Sequence, residues 1–203
     1  MLLLVLTACS DDKEAALHTT VSAGIINEGM FHHLFDPALQ INYQYDSLGH
    51  FHYGADSIDL NFDGDFDILI NQRVCPDNIP ISVTNYSYCS VTASNGWQLA
   101  SKKESYPLGL SQWGTIFWVD TLLHKTRIDN LSEWSSSGES RWMWVNPPVP
   151  YEGTYGCWYS LTLTGHCLGI RLQGDQDFKY GWIKVFTIDC ENYLFTEYAF
   201  EQR

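Results

Sequence analysis

Positive charge is what this sequence has least of. Its 203 residues carry 11 Lys and Arg against 24 Asp and Glu, a formal net charge of −13. Such a surface repels nucleic-acid phosphates and anionic lipid headgroups, which argues against a nucleic-acid partner and favours cations. Long apolar runs are also missing, and none approaches the roughly 20 residues that a membrane-spanning helix needs. Absent too are G-x-S-x-G, H-E-x-x-H, the P-loop and G-x-G-x-x-G, so no nucleophile elbow, zinc-protease helix or phosphate cradle is legible. Helix signals are scarce. What remains is a chain that is 45% hydrophobic and 15% aromatic. It can bury a core, and its Trp, Tyr and Phe favour strands.

Short alternating runs punctuated by Gly, Pro, Asn and Ser recur along the chain. Ile58, Leu60 and Phe62 alternate with Asp59, Asn61 and Asp63, and Phe66 to Ile70 continues as a second strand. Val91 to Leu99 alternates across Asn95-Gly96, which reads as a hairpin turn. Thr115 to Val119, Trp142 to Val145, Tyr159 to Leu163, Leu168 to Leu172, Tyr180 to Ile188 and Tyr193 to Phe200 complete the set. No strand–helix alternation and no internal repeat is visible. The expectation is an all-β fold, an antiparallel β-sandwich or jelly-roll-like single domain over 21–203. The loops SEWSSSGES (132–140) and NPPVPYEGTYG (146–156) are places where function would sit.

The chain opens with MLLLVLTAC, a short apolar run ending in Leu6-Thr7-Ala8-Cys9. These four residues resemble a bacterial lipobox, which implies cleavage after residue 8 and lipidation of Cys9. No Lys or Arg precedes the run and the run is short, so the signal's start is expected to lie upstream. Residues 9–20 then form a polar tether. Its acidic tract, SDDKE, resembles the surface-export signal of Bacteroidota lipoproteins, with a plain solvated linker as the alternative. The expected location is the bacterial outer membrane, held by a lipid anchor and exposed at the cell surface if the export signal operates.

With Cys9 lipidated, five cysteines remain in an oxidising compartment. Cys75 with Cys89 is the preferred bridge; a loop of that length is worth about 3 kcal/mol. Cys157 with Cys167 is next, unless the intervening segment is a tight hairpin turning at Thr164-Gly165. Cys190 could replace a partner in either.

The densest chemistry lies in DLNFDGDFD, residues 59–67, with four Asp, one Asn and one Gly. Counting Asp59 as position one puts Asn61 at three, Asp63 at five, Gly64 at six, Asp65 at seven and Asp67 at nine. Calcium takes six to eight oxygen ligands, and this spacing fits the first half of an EF-hand loop. Position twelve is Ile70 rather than Glu, so the EF-hand itself is excluded. The segment resembles the D-x-D-x-D-G calcium loops found between strands in secreted proteins. Calcium, in a structural role, is the expected cofactor. The competing explanation is a polar turn, but a turn needs one Asx residue and not five.

Other candidates are weaker. His50 and His52, with His32 or His33, could hold zinc, though cross-strand or surface roles explain them more simply. His166-Cys167 hints at a thiol nucleophile, and a disulfide explains Cys167 more simply. Glu133, Glu139, Glu152, Asp189, Glu191 and Glu197 could supply a glycosidase pair, but nothing singles out two. Trp142 and Trp144 share a face if their segment is a regular strand, and Trp134 in the Ser-rich loop is expected to be exposed. These three are the candidate ligand-binding platforms, whereas Trp182 is expected to be buried.

IDLNFDGDFDILI and the closing KYGWIKVFT together resemble a loosely defined group of exported, β-rich Bacteroidota lipoproteins. The matching residues are Asp59, Asn61, Asp63, Gly64 and Asp67, then Tyr180, Gly181, Trp182, Ile183 and Lys184. The resemblance implies fold and location but no activity. The preferred expectation is a lipid-anchored, calcium-stabilised sandwich that binds a glycan or a partner surface protein. The alternatives are a polysaccharide hydrolase with a carboxylate pair and a structural lipoprotein with no ligand.

Overall fold

The computed structural model describes residues 20–45, 51–74, 87–109, 112–146, 158, 165–175, 177–188 and 192–202. The strands are β1 (Val21–Ser22), β2 (Met30–Gln40), β3 (Tyr43–Tyr45), β4 (His52–Ile58), β5 (Ile68–Val74), β6 (Ser87–Ala93) and β7 (Trp97–Leu99). They continue with β8 (Ser101–Gly109), β9 (Gln112–Val119), β10 (Arg127–Ile128), β11 (Ser140–Asn146), β12 (Gly165–Gln173), β13 (Phe178–Thr187) and β14 (Tyr193–Glu201). No helix occurs among the described residues, and none of them forms a helix long and apolar enough to cross a membrane. The signal segment, the tether with Cys9, and the strand expected over Tyr159 to Leu163 lie outside the described residues, as do Cys75, Cys157, Cys190 and His50.

Two sheets make an open sandwich, as the alternating runs imply. One has seven strands in the order β3-β4-β5-β6-β11-β9-β8, and the other has five, β2-β14-β13-β12-β7. Among the described residues, pairing within these sheets is antiparallel except between β11 and β9. Alternation sets the core. Ile68 and Ile70 of β5 and Cys89, Val91 and Ala93 of β6 face Leu168, Ile170, Ile183, Val185 and Phe195 of the other sheet, all essentially inaccessible. A second cluster lies on the far face of the five-stranded sheet. There Cys167, Tyr180, Trp182 and Ala199 are covered by Val21, Ala23, Leu122 and Ile128, brought over by the small β1–β10 ribbon.

Three expectations need correction. Asn95-Gly96 does not close a hairpin. β6 belongs to the seven-stranded sheet and β7 to the five-stranded one, so this turn passes the chain between sheets. The next residue, Trp97, is then fully buried in the shared core. Second, β11 is not regular. A register shift pairs Trp142 with Ser90 and Trp144 with Cys89, so two-residue spacing no longer guarantees a common face. Third, two of the four cysteines expected to pair, Cys89 and Cys167, are free and buried. Cys89 faces the inter-sheet core, where its Sγ lies 3.5 Å from Met143 Sδ. Cys167 faces the opposite side of the five-stranded sheet, within the second cluster.

In the terminal YGWIKV strand, Trp182 is buried as expected. Gly181 is there for space, because a Cβ on it would fall 2.6 Å from Phe200 Cβ on the paired strand β14.

Candidate functional site

The Asp loop joins β4 to β5. The chain leaves β4 at Ile58 and re-enters a strand only at Ile68, so Leu60 and Phe62, expected to prolong the strand, belong to the loop. Leu60 is fully buried and anchors it, and the Tyr198 hydroxyl donates to Leu60 O at 3.2 Å. Phe62 and Gly64 adopt left-handed backbone angles, φ 61° and 94°. A Cβ on Gly64 would meet nothing within 4 Å, so conformation alone calls for glycine there.

These angles coil the loop so that its side chains take up its own amides. Asp59 Oδ2 accepts from Gly64 N at 2.9 Å, Asn61 Oδ1 from Asp63 N at 3.0 Å, and Asp63 Oδ1 from Asp65 N at 2.9 Å. Asn61 Nδ2 donates to Asp63 Oδ2 at 2.9 Å. Positions one, three and five thus each give one oxygen to a backbone N–H. Asp63 and Asp65 remain exposed at the tip, flanked by Phe62 and Phe66, which are 58% and 63% exposed.

Asp67 stands apart. It is completely inaccessible, and its Oδ2 accepts from the buried Leu60 N at 2.8 Å. Neither its Oδ1 nor the buried Oδ1 of Asp59 has a well-formed hydrogen bond, although the Asn95 amide, which donates to Phe66 O, lies close enough to Asp67 to favour its charged form. Burial pushes the Asp67 carboxyl above the usual carboxylate range. The Leu60 N–H and the Asn95 amide oppose this, while the charges of Asp63 and Asp59 add to it. The Tyr198 phenol is raised as well, first by burial and then by Asp59 and Asp67. Negative potential therefore gathers beneath the loop. Among the described residues, no group of three or more His, Cys, Asp and Glu side chains is placed to hold a metal ion. Two carboxylate oxygens of the loop, Asp59 Oδ1 and Asp67 Oδ1, are buried without a well-formed hydrogen bond, and carboxylate oxygens are groups that calcium uses.

The other expected residues scatter. His32 and His33 lie on β2 and His52 on β4, in different sheets. His32 Nε2 meets Glu197 Oε2 at 2.8 Å, while the His33 ring packs on Phe35, Phe62 and Tyr198. Glu197 also pairs with Lys184 at 2.7 Å. Burial alone would raise its carboxyl, but the bonds and charges of Lys184 and His32 together hold it below the ordinary range. Glu139 is exposed and bonded to Arg141 and Ser136 N. These two members of the hydrolase set thus sit in separate ion pairs. Glu133 lies on the surface, and Glu152, Asp189 and Glu191 lie outside the described residues. The Cys167 thiol is pushed up to about 12, chiefly by burial, so it is a poor nucleophile at neutral pH.

Trp134 is not the exposed platform expected. It is part-buried, its Nε1 donates to Asp129 O at 3.1 Å, and the Arg171 guanidinium lies 4.5 Å from its ring centre. Trp142 is partly accessible, with the Tyr88 ring perpendicular to it at 5.2 Å. The Trp144 side chain lies outside the described residues. Sequence reasoning missed other residues on the sheet face of Trp142: Tyr53, Asn71, Arg73 and its ring partner Tyr88. Their signal was the period-two spacing within HYGADSI, ILINQRV and SYCSVTA, which the pairing register carries onto one face. No protein-family model, curated protein or solved structure matches the chain.

Proposed function

We propose that this protein is an exported, lipid-anchored β-sandwich that serves as a binding module at the outer membrane, with a structural calcium ion in the Asp loop. One observation carries the calcium reading. Asp67 is fully buried, with one oxygen tied to Leu60 N and the other without a well-formed hydrogen bond, among carboxylates that raise its proton affinity. A buried, unpaired carboxylate is costly, and a cation against Asp67 Oδ1 and Asp59 Oδ1 relieves both the burial and the repulsion. The coiling supports the same reading at two residues, Asp59 and Asp67, where a backbone amide takes one oxygen and leaves the other for a metal. Calcium fits better than a transition metal, since every donor is a hard oxygen. The anchor rests on Leu6-Thr7-Ala8-Cys9. The ligand of the module is a glycan or a partner surface protein.

Isothermal titration of calcium into EDTA-stripped protein tests the metal. One site per chain is expected, with weaker magnesium binding because magnesium demands a tighter octahedral shell. No heat at millimolar calcium overturns the calcium half. Labelling cells that express the full chain with an alkynyl fatty acid tests the anchor. The wild type should be labelled and Cys9→Ala should not.

A further inference from the structure

The outer faces of the two sheets are unlike. That of the five-stranded sheet is covered by the β1–β10 ribbon and carries the Lys184–Glu197–His32 network. On the seven-stranded sheet, the register aligns outward residues of β4, β5, β6 and β11 into rows. One row runs Tyr53–Arg73–Tyr88, and the next runs Ala55–Asn71–Ser90–Trp142. A third, Ser57–Leu69–Thr92–Ser140, adds hydroxyls around one exposed Leu. None of these positions is Asp or Glu, although the chain has 24 of them.

We infer that this face binds an uncharged polysaccharide chain, with Tyr53 and Trp142 as stacking platforms and Asn71 as a hydrogen-bonding group between them. The inference rests on the binding-module reading above and names its ligand and site. Charge selects the ligand class. Arg73 is the one charged residue on β4, β5, β6 and β11 in these rows, and the Trp142 row continues through the buried Trp118 to Lys102, whose charge is matched by Glu104 at 2.6 Å. The Arg73 guanidinium lies 4.0 Å from the Phe51 ring centre and 5.7 Å from that of Tyr53. A polyanion calls for several cations, and a basic partner calls for carboxylates that these rows lack. The faces of sugar rings present C–H groups that stack on aromatic rings, and their equatorial hydroxyls pair with amides and hydroxyls. Tyr53 is 44% exposed, so its ring is accessible. Tyr53 and Tyr88 lie two strands apart in one row, about 10 Å given the usual strand spacing. Trp142 lies one strand further on in the next row, so an extended glycan running obliquely across β4, β5, β6 and β11 reaches both platforms and passes Asn71.

Affinity electrophoresis of the full chain tests this, using native gels cast with hydroxyethyl cellulose, a neutral xylan, a neutral mannan or polygalacturonate. Retardation by at least one neutral polymer, and none by polygalacturonate, is expected. Tyr53→Ala and Trp142→Ala should each weaken retardation by about tenfold, while Trp134→Ala should leave it unchanged. If Trp142→Ala fails to fold, the exposed Tyr53→Ala still decides the matter. Absence of retardation by all three neutral polymers overturns the inference. So does retardation that survives in a folded Tyr53→Ala/Trp142→Ala double variant, or that occurs with polygalacturonate alone. Running the gels in calcium and in EDTA separates the two proposals. Retardation without calcium heat sinks the metal site alone, and calcium heat without retardation sinks the glycan face alone.

Discussion

Two turns meet at one end of the sandwich. One, at Ser94 to Gly96, takes the chain from β6 to β7, and the other, residues 59–67, takes it from β4 to β5. They are joined by Ser94 N to Asp67 O at 2.8 Å, and by Ser94 Oγ and Asn95 Nδ2 to Phe66 O at 2.7 and 3.2 Å. Each contains two left-handed residues, Asn95 and Gly96 at φ 53° and 83°, and Phe62 and Gly64 at 61° and 94°. Each leads to a fully buried anchor, Trp97 or Leu60. The shorter turn does this with one Asn, one Gly and no carboxylate. Reversing a chain therefore does not account for four Asp residues in the longer one, and their repulsion opposes folding unless a cation sits among them.

The comparison can be broken at the anchors, where the largest effect is expected. Trp97→Ala should destabilise by about 3–5 kcal/mol, equally in calcium and in EDTA, because this turn has no metal chemistry. A calcium-dependent loss in a urea melt would contradict the separation drawn here. Next comes Asp59→Asn, which keeps an oxygen to accept from Gly64 N but removes the charge proposed to meet the metal. At calcium 100-fold above its dissociation constant, bound metal adds about 2.7 kcal/mol to the wild type, and the variant should lack that increment while differing little in EDTA. Smaller effects are expected at the glycines, where Gly64→Ala and Gly96→Ala should each lose about 1–2 kcal/mol, the penalty of a left-handed Cβ. Only the Gly64 variant should also weaken calcium binding in a titration.

The smallest effect is in pH dependence. Without metal, the folded state binds a proton at Asp67 more tightly than the unfolded state does. Between the ordinary carboxylate value and the raised one, the folded state holds more protons, so this contribution to stability is greatest below that window and declines as pH rises through it. Glu197 acts in the opposite sense. Its carboxyl is held low, so its contribution is present above the ordinary value and is lost as pH falls through the depressed one. Urea melts from pH 3 to 7 in EDTA should show the Asp67 decline vanish in Asp67→Asn, and the Glu197 loss vanish in Glu197→Gln.

Local signals were legible in the sequence where alternation and turn chemistry act alone. The strand in KYGWIKVFT, the glycine turns at Gly64 and Gly96, and the buried Trp182 all follow from spacing and residue type. What was not legible depends on partners distant in the chain. Asn95-Gly96 looks like a hairpin, and only the pairing of β7 with β12 sends it to the other sheet. β2 escaped notice because Pro37 and Asp36 interrupt its pattern, and it tolerates them as an edge strand. Trp134 looked free in a Ser-rich loop until Arg171, from a strand 37 positions on, stacked beneath it. In the Asp loop, composition named the residues but could not distinguish Asp67, whose burial comes from packing against the rest of the sandwich.

The most direct test is a pair of thermal melts, wild type and Asp67→Asn, each in excess calcium and in EDTA at pH 7. An Asn at 67 can still accept from Leu60 N, so the substitution removes charge and leaves that bond in place. In EDTA the variant should match or exceed the wild type, because a buried charge is gone. In calcium the order should reverse, with the wild type rising and the variant staying where it was. A wild type that melts at the same temperature in both buffers would contradict the calcium site and leave residues 59–67 as a polar turn.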